Sequence, residues 1–404
     1  MTKPQNIASL EESRVVGPIK PRRSNRIDEL QGQIDKLKER ARIAVIFGGD
    51  KRVQGAVINS TVNPRSWKSY ETVAHDIATA LKNLGFQHVQ VIPEDMRIAE
   101  RLRKERIDLV WLNSGGVQGY ISMSHSAAIL EMIGIPYIGH DPMMSGILDS
   151  KHIFKRMLKA LDIPTAPFMT WNLAQGEFNP SSNNRFNKVF SNYSGPFIVK
   201  PVSGRASLNV NLVDDLSALS KTVDELCRAT ENHVLIESFL PGREFCVAVC
   251  GPVIYRNNIL QRRDRPFTFA AIERRLEANE EIFESMDIRP ITSNRVNILD
   301  PDVDAEVIQR LEELAKEVFQ EMNLETLIRL DVRMDADGNM FVLEGNPKPD
   351  LKAPTPEKTS LICASLATYG LSYEDLILSL LADRIDLYLS ERRGSITNLA
   401  QLMI

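Results

Sequence analysis

The run Arg329–Pro347, RLDVRMDADGNMFVLEGNP, narrows the folds open to this chain more than any other segment. At strand period Arg329, Asp331 and Arg333 share one face, and Ile328, Leu330, Val332 and Met334 take the other. DADGN reads as a tight turn, because Gly and Asn accept positive φ and Asp caps its own backbone. The chain returns as MFVLEGN, with Glu344 and Asn346 on a common face. With the turn centred between Asp337 and Gly338, Asp331 falls opposite Glu344. Side-by-side carboxylates repel, and a hard cation between them stabilises the pair. Magnesium prefers oxygen ligands and usually binds one or two carboxylates plus substrate phosphates. Arg329 adds a fixed fork of donors suited to phosphate or a developing oxyanion. The spacing alone is equally compatible with an exposed hairpin bearing surface acids.

The 404 residues suggest two or three domains. Residues 1–25 are polar with scattered prolines and read as a flexible arm, its KPRRSNR cluster a solvated tail. Ile27, Leu30, Ile34 and Leu37 keep helical spacing, so a short amphipathic helix packs on the body or on a second subunit. The arm and this helix make up residues 1–42. Residues 43–146 alternate strand and helix: IAVIFGG, YETVAHDIATALKNLG closed by Gly85, HVQVIP, IDLVWLN and IPYIG. That alternation predicts a parallel α/β domain. FGG lacks the G-x-G-x-x-G spacing and reads as a plain turn. Residues 147–243 read as a small α+β domain. A basic helix carries Lys151, Lys155, Arg156 and Lys159; GPFIVKPVSG is a strand; LSALSKTVDELCRA is a helix; and two strands flank a Pro-Gly turn in HVLIESFLPGREFCVAVCG. Residues 244–404 hold a long helix in DPDVDAEVIQRLEELAKEVFQEM, the opening hairpin and a final helix, SYEDLILSLLADRIDLYLSERR.

A net charge of -4 gives no argument for nucleic acid or an anionic membrane surface. No apolar run approaches the ~20 residues that span a bilayer, and the N-terminus lacks the apolar core of a signal peptide. Cys227, Cys246, Cys250 and Cys363 show no zinc spacing and read as buried thiols of a reduced, cytoplasmic protein. None of the six histidines forms an evident relay.

Two further segments carry chemistry. Lys200 lies inside the apolar strand PFIVKP, where an ammonium is poorly placed without an anionic partner. The VSGRAS loop after it suits a cover for polyphosphate; a snorkelling edge lysine is the alternative. In VLIESFLPGRE, Glu237 follows a buried strand and Glu244 follows the turn. Acceptors so placed could read an amino group and a ribose, or be surface acids at a turn.

Five segments, in this order and spacing, resemble the ATP-grasp superfamily and, within it, the D-alanine–D-alanine ligase-like branch: IPYIGHDP, DSKHIFKRML, PFIVKPVSGRASLNV, VLIESFLPGREFCVAV and RLDVRMDADGNMFVLEGNP. The resemblance runs from about Ile43 onward. It implies a three-domain α/β ATP-grasp fold with ATP held between the central and C-terminal domains, usually as a homodimer. It implies that Lys151 and Lys200 hold ATP phosphates, with Ser207 in the loop covering them. Glu237 and the backbone near Phe239 and Leu240 match the adenine hinge, and Glu244 the ribose acid. Asp331, Glu344 and Asn346 match the ligands of two magnesium ions, with manganese as an alternative. Arg329 matches the catalytic arginine that stabilises an acyl phosphate and a tetrahedral intermediate. The implied reaction is an ADP-forming amide synthesis from a small-molecule carboxylate and amine.

The chain departs from that family around substrate. Lys68 stands near the expected acid of the N-terminal loop, with Glu71 close by; Arg205, Ala206 and Asn209 replace the usual loop residues. NPKPDLKAPTPEKTSL is longer than usual, has Asp350 where glycine is expected, and leaves Ser360 and Leu361 as a displaced pair. The reading is therefore a carboxylate–amine ligase for amino acids or amino-acid-like molecules. The alternatives are a true D-alanine–D-alanine ligase with divergent loops, and a nucleotide-binding protein without turnover.

Overall fold

The computed structural model describes residues 27–48, 70–117, 121–203, 209–276, 280, 282, 295–355 and 360–404. The polar arm, Lys68, Arg205, Ala206 and Ser207 lie outside the described residues.

The first part of the chain runs α1 (Ile27–Arg40), β1 (Arg42–Gly48), α2 (Glu71–Asn83), β2 (His88–Glu94), α3 (Ile98–Lys104), β3 (Leu109–Asn113), α4 (Ser122–Ile133), β4 (Tyr137–Ile138) and α5 (Pro142–Asp149). Its strands form one sheet in the order β2-β1-β3-β4, every pairing parallel. After Arg42, β1 is apolar and buried because both its faces are covered. Ile43, Val45 and Phe47 pack with Leu30, Ile34, Ile77 and Leu81 of α1 and α2. Ala44 and Ile46 pack with Ile98, Leu102, Ala127 and Leu130 of α3 and α4. α1 also docks on the body: Lys36 Nζ donates to the carbonyls of Met403 and Ile404 at 3.1 and 2.9 Å.

Next come α6 (Lys151–Ala160), β5 (Phe168–Trp171), α7 (Asn184–Phe190), β6 (Phe197–Pro201), β7 (Asn211–Val213), α8 (Leu216–Thr230) and β8 (Val234–Ser238). These strands make an antiparallel sheet, β5-β8-β6-β7, closed on one side by an apolar cluster with α7 and α8. The rest of the chain is β9 (Glu244–Cys250), β10 (Val253–Arg256), β11 (Ile259–Arg262), β12 (Phe267–Arg274), β13 (Val296–Ile298), α9 (Ala305–Glu321), β14 (Ile328–Met334), β15 (Met340–Asn346), α10 (Tyr373–Glu391) and α11 (Thr397–Leu402). A second antiparallel sheet runs β13-β12-β9-β14-β15. Phe245, Val247, Leu330 and Val332 on one face meet Leu311 and Val318 of α9. Ala248 and Cys250 on the other meet Ile377 and Leu381 of α10. Ser372 and Asp375 close a capping box at the start of α10. The long acidic helix starts later than its sequence suggests, at Ala305, because Asp300 turns back to accept from the Asp302 amide at 2.8 Å.

The hairpin reaches the expected pairing by a different route. Met334 pairs with Met340, so the turn centres on Asp337 rather than beyond it. An irregularity between Asp331 and Val332 then adds one residue on the returning strand, bringing Asp331 opposite Glu344 and Arg329 opposite Asn346. Such a bulge re-aims side chains at one place along a ladder. Beside it, Gly345 lets α5 and α6 approach β15. A Cβ there would lie 2.9 Å from Ile328 Cδ1, 3.2 Å from Phe154 Cζ and 3.3 Å from Leu148 Cδ2. Gly345→Val is expected to cost about 1–3 kcal/mol through overpacking, read as a lowered denaturation midpoint. An unchanged midpoint would contradict this packing.

Candidate active site

The faces of the two antiparallel sheets bring charged side chains together. Lys151, in the first turn of α6, pairs with Glu344 of β15 at 3.0 Å. One turn on, fully buried Lys155 pairs with Glu237 of β8 at 3.0 Å and donates to Thr165 Oγ1 at 2.7 Å. Thr165 in turn donates to the Val342 carbonyl of β15 at 2.8 Å. Lys200 of β6 holds the other oxygen of Glu237. Glu237 is therefore gripped by two lysines. Burial opposes its ionisation, but Lys155 and then Lys200 outweigh it and hold the carboxyl below its usual range. Burial pushes Lys155 down despite Glu237. For Lys200, Glu237, Glu344 and Glu244 together overcome burial and push it up. The contacts of Lys151 with Glu344 and of Thr165 with the Val342 carbonyl bring this cluster against β15 of the second sheet.

The second sheet carries its own network. Asp331 of β14 accepts from Arg329 Nε and one Arg329 terminal nitrogen at 2.8 and 3.0 Å. It also accepts from Arg274 of β12 at 3.0 Å and from Cys246 Sγ at 3.4 Å. Arg274, which reaches across β9 to Asp331, also donates to Glu244, its pairing partner on β9, at 2.7 Å. Glu244 accepts from Arg333 at 3.4 Å, and the Arg333 guanidinium lies 4.7 Å from the centre of the Phe239 ring. Glu344 is held down to about 2: burial opposes this, and Lys151, Lys200 and Arg329 overcome it.

These contacts correct one step of the sequence argument. Asp331 and Glu344 do sit side by side, but each has a protein cation, so their repulsion does not by itself call for a metal. Lys200 likewise has an acid, Glu237, as its partner. Asn346 shares the wall and accepts from the Lys348 amide at 3.0 Å. At the hinge, the Phe239 amide donates to the Pro196 carbonyl and Tyr193 Oη at 3.0 and 3.1 Å, and Leu240 is buried. Among the described residues no group of three or more His, Cys, Asp and Glu side chains could hold a metal. Two carboxylates and the Asn346 amide remain the oxygen donors of this wall.

Sequence reading missed Lys155, Arg274 and Arg333 as members of the cluster. Lys155 carried a signal, standing four residues after Lys151 and so on the same helix face. Arg333 shares a strand face with Asp331. Arg274 carried none, since its reach depends on the strand order β12-β9-β14. Also missed was Glu94, the last residue of β2, paired across to Gly48 at the end of β1. It is buried, and among the described residues its Oε2 has no hydrogen-bond partner. Burial raises it despite the nearby Ser114 and Ser126 hydroxyls and His125.

Known proteins place this architecture. The family model for the D-ala D-ala ligase C-terminus matches residues 157–382, more than half of the chain. The chain belongs to this family, and so to the ATP-grasp ligases, enzymes that join carbon to nitrogen with ATP. A D-alanine–D-alanine ligase of Mannheimia succiniciproducens is 26% identical over 348 residues, 85% of this chain and 98% of that protein. One from Synechococcus sp. (strain JA-3-3Ab) is 25% identical over 313 residues, 76% and 86% of the two chains. Among solved structures, the Bacillus anthracis D-alanine–D-alanine ligase complexed with ATP matches at a TM-score of 0.61 and 20% identity, covering 88% of this chain and all of that one. The VanG D-Ala:D-Ser ligase of Enterococcus faecalis matches at 0.59 and 18%, covering 85% and 99%. These last two likenesses concern the fold.

Glu94 gives a pH-dependent outcome. Its folded pKa is raised, so the stability it contributes is complete below its unfolded value, about 4.3, and is lost as pH rises through the folded value. Glu94→Gln, which keeps the shape without the charge, is expected to melt higher than the parent at pH 7.5. The gain should shrink toward pH 4. A difference independent of pH would contradict the raised pKa of this buried carboxyl.

Proposed function

We propose that this chain is an ATP-dependent carboxylate–amine ligase acting on amino acids or amino-acid-like small molecules through an acyl phosphate, and that its preferred pair is not two D-alanines. One observation carries the ATP site. Among the described residues, Lys151, Lys155, Lys200, Arg274, Arg329 and Arg333 gather around Glu237, Glu244, Asp331 and Glu344 between two facing sheets. So many cations, brought together and oriented at a largely buried place, suit a polyphosphate better than any packing role.

In this reading Lys151 and Lys200 bind the ATP phosphates, exchanging their carboxylate partners for phosphate oxygens, beneath the loop that holds Ser207. Glu237, kept ionised by Lys155, accepts from the adenine amino group. With the Phe239 amide already engaged, the rest of the purine edge falls to the Phe239 carbonyl and the Leu240 amide. Glu244, oriented by Arg274 and Arg333, accepts from the ribose. Asp331, Glu344 and Asn346 offer an oxygen donor set that fits two magnesium ions. Bound there, the ions would neutralise the transferring phosphate. A substrate carboxylate attacks the γ-phosphorus and ADP leaves. The amine then attacks the acyl carbon and expels phosphate, with Arg329 placed to hold the oxyanion. Homodimerisation and a cytoplasmic, reducing location complete the reading; the four cysteines are free and buried.

Two outcomes test it. Lys200→Met should weaken ATP binding in calorimetry by about tenfold to a hundredfold, as for loss of a charged hydrogen bond; unchanged affinity would return Lys200 to a partner of Glu237 alone. For substrate, Lys68 falls near the expected acid in sequence, with Glu71 close by, and Ala206 takes the place of a serine that would serve D-alanine. Phosphate release with D-alanine is expected to fall roughly tenfold or more below the best member of an amino-acid panel. Equal turnover would instead identify a D-alanine–D-alanine ligase with divergent loops.

A further inference from the structure

The segment FSNYSGPF, residues 190–197, links α7 to β6 and carries Tyr193. The Tyr193 amide donates to the Phe190 carbonyl at 2.6 Å, in the turn that closes α7. Gly195 takes φ 119, and a Cβ there would lie 2.5 Å from the Asp214 carbonyl oxygen, so glycine lets this loop lie against the chain just past β7. The Tyr193 ring packs edge-on against Phe197, with ring centres 5.2 Å apart. Its hydroxyl is thereby carried to the hinge. It donates to the Pro196 carbonyl and accepts from the Phe239 amide at 3.1 Å, and it lies 3.4 Å from the Phe239 carbonyl oxygen. The hinge is held on both sides of that contact. The Ser238 amide donates to the Pro167 carbonyl at 3.1 Å and the Gly242 amide to the Met334 carbonyl at 2.9 Å. Leu240 is buried, yet among the described residues its amide donates to no protein group.

A buried backbone N–H without an acceptor is rare and calls for an explanation. Here a ligand edge supplies one, since Glu237 stands three residues earlier on the same hinge. The orientation of that N–H is set from outside the hinge. A hydroxyl has one proton to give, and Tyr193 gives it to Pro196. Its oxygen still touches both polar groups of Phe239, so it steadies the peptide groups on either side of that residue. The Leu240 amide belongs to the second of these groups, because a peptide unit is planar. We propose that Tyr193 is a positioning residue of the base site: it aims the Leu240 N–H so that the hinge offers one donor, beside the Glu237 acceptor, and selects a 6-aminopurine over a 6-oxopurine. A 6-aminopurine donates from its amino group and accepts at N1. A 6-oxopurine reverses both, and would leave the two protein groups facing their own kind, which a buried polar site rejects strongly. This inference rests on the hinge assignment within the ligase reading above.

The test is calorimetry on the full-length protein with ATP, ITP and inorganic tripolyphosphate, each with magnesium. It compares the parent with Tyr193→Phe and Phe186→Leu. ITP carries a 6-oxo group and a proton on N1, and tripolyphosphate carries no base. The parent should bind ATP about tenfold or more tighter than ITP. Tyr193→Phe should weaken ATP binding by about twofold to tenfold, lower the ATP-to-ITP ratio by a similar factor and leave tripolyphosphate affinity unchanged. Phe186 packs against Phe190 and Phe197 in the same core, so Phe186→Leu reports general loosening. It should melt lower than the parent and keep the ratio. If Tyr193→Phe melts lower with the ratio intact, Tyr193 is a structural clamp alone, and the proposal is overturned while the hinge assignment stands. An equal fall of the ratio in Phe186→Leu overturns it as well. A parent that binds ATP and ITP equally removes the hinge assignment itself, and this proposal with it.

Discussion

Glu237 held between Lys155 and Lys200 is the contact on which the arrangement turns. It joins α6, β6 and β8, and through Thr165 and Val342 it reaches the far sheet. Removing one partner from a buried ion pair strands a charge, which is far costlier than never having built the pair. The grip therefore fixes the height at which the two sheets face each other. Everything else in the cluster, from Lys151 on Glu344 to Arg274 spanning Glu244 and Asp331, is set from that height.

The same pairing explains how so many charges can lie together before any nucleotide arrives. Each carboxylate has a cation, so the cluster can fold on its own. The cations are already gathered and oriented, so a polyphosphate can take the place of their carboxylate partners. In the reading proposed here, ATP enters by exchange of partners rather than by filling a void. Exchange of buried partners calls for geometry that is already correct, because water is not there to screen an error.

Much of this was legible in the sequence, for reasons that differ from residue to residue. The apolar β1 run and the alternating hairpin announce their environments directly, since one meets apolar packing on both faces and the other on one. Asp331 opposite Glu344 was anticipated although the turn was placed half a residue too far, because the bulge after Asp331 compensates. The electrostatic partners were not legible. Arg274 meets Asp331 only because β9 lies between β12 and β14, and strand order is not written in local periodicity. Glu94 was hidden for a similar reason: nothing in HVQVIPE tells that its last side chain is capped by Ser114 and α4. On the substrate side, Lys348 read as part of a longer loop. Its contact with Tyr70, some 280 residues earlier, appears only in the fold.

In the proposed reading, this cluster serves carboxylate activation. Positional isotope exchange measures that step directly, using ATP carrying heavy oxygen in the β,γ-bridge. With the acid substrate present and the amine withheld, reversible formation of an acyl phosphate should move the label from the bridge to non-bridging positions of the β-phosphate, at a rate that depends on the acid. Net amide synthesis with no such exchange at any acid concentration, under conditions where bound ADP is free to rotate and return, would contradict it.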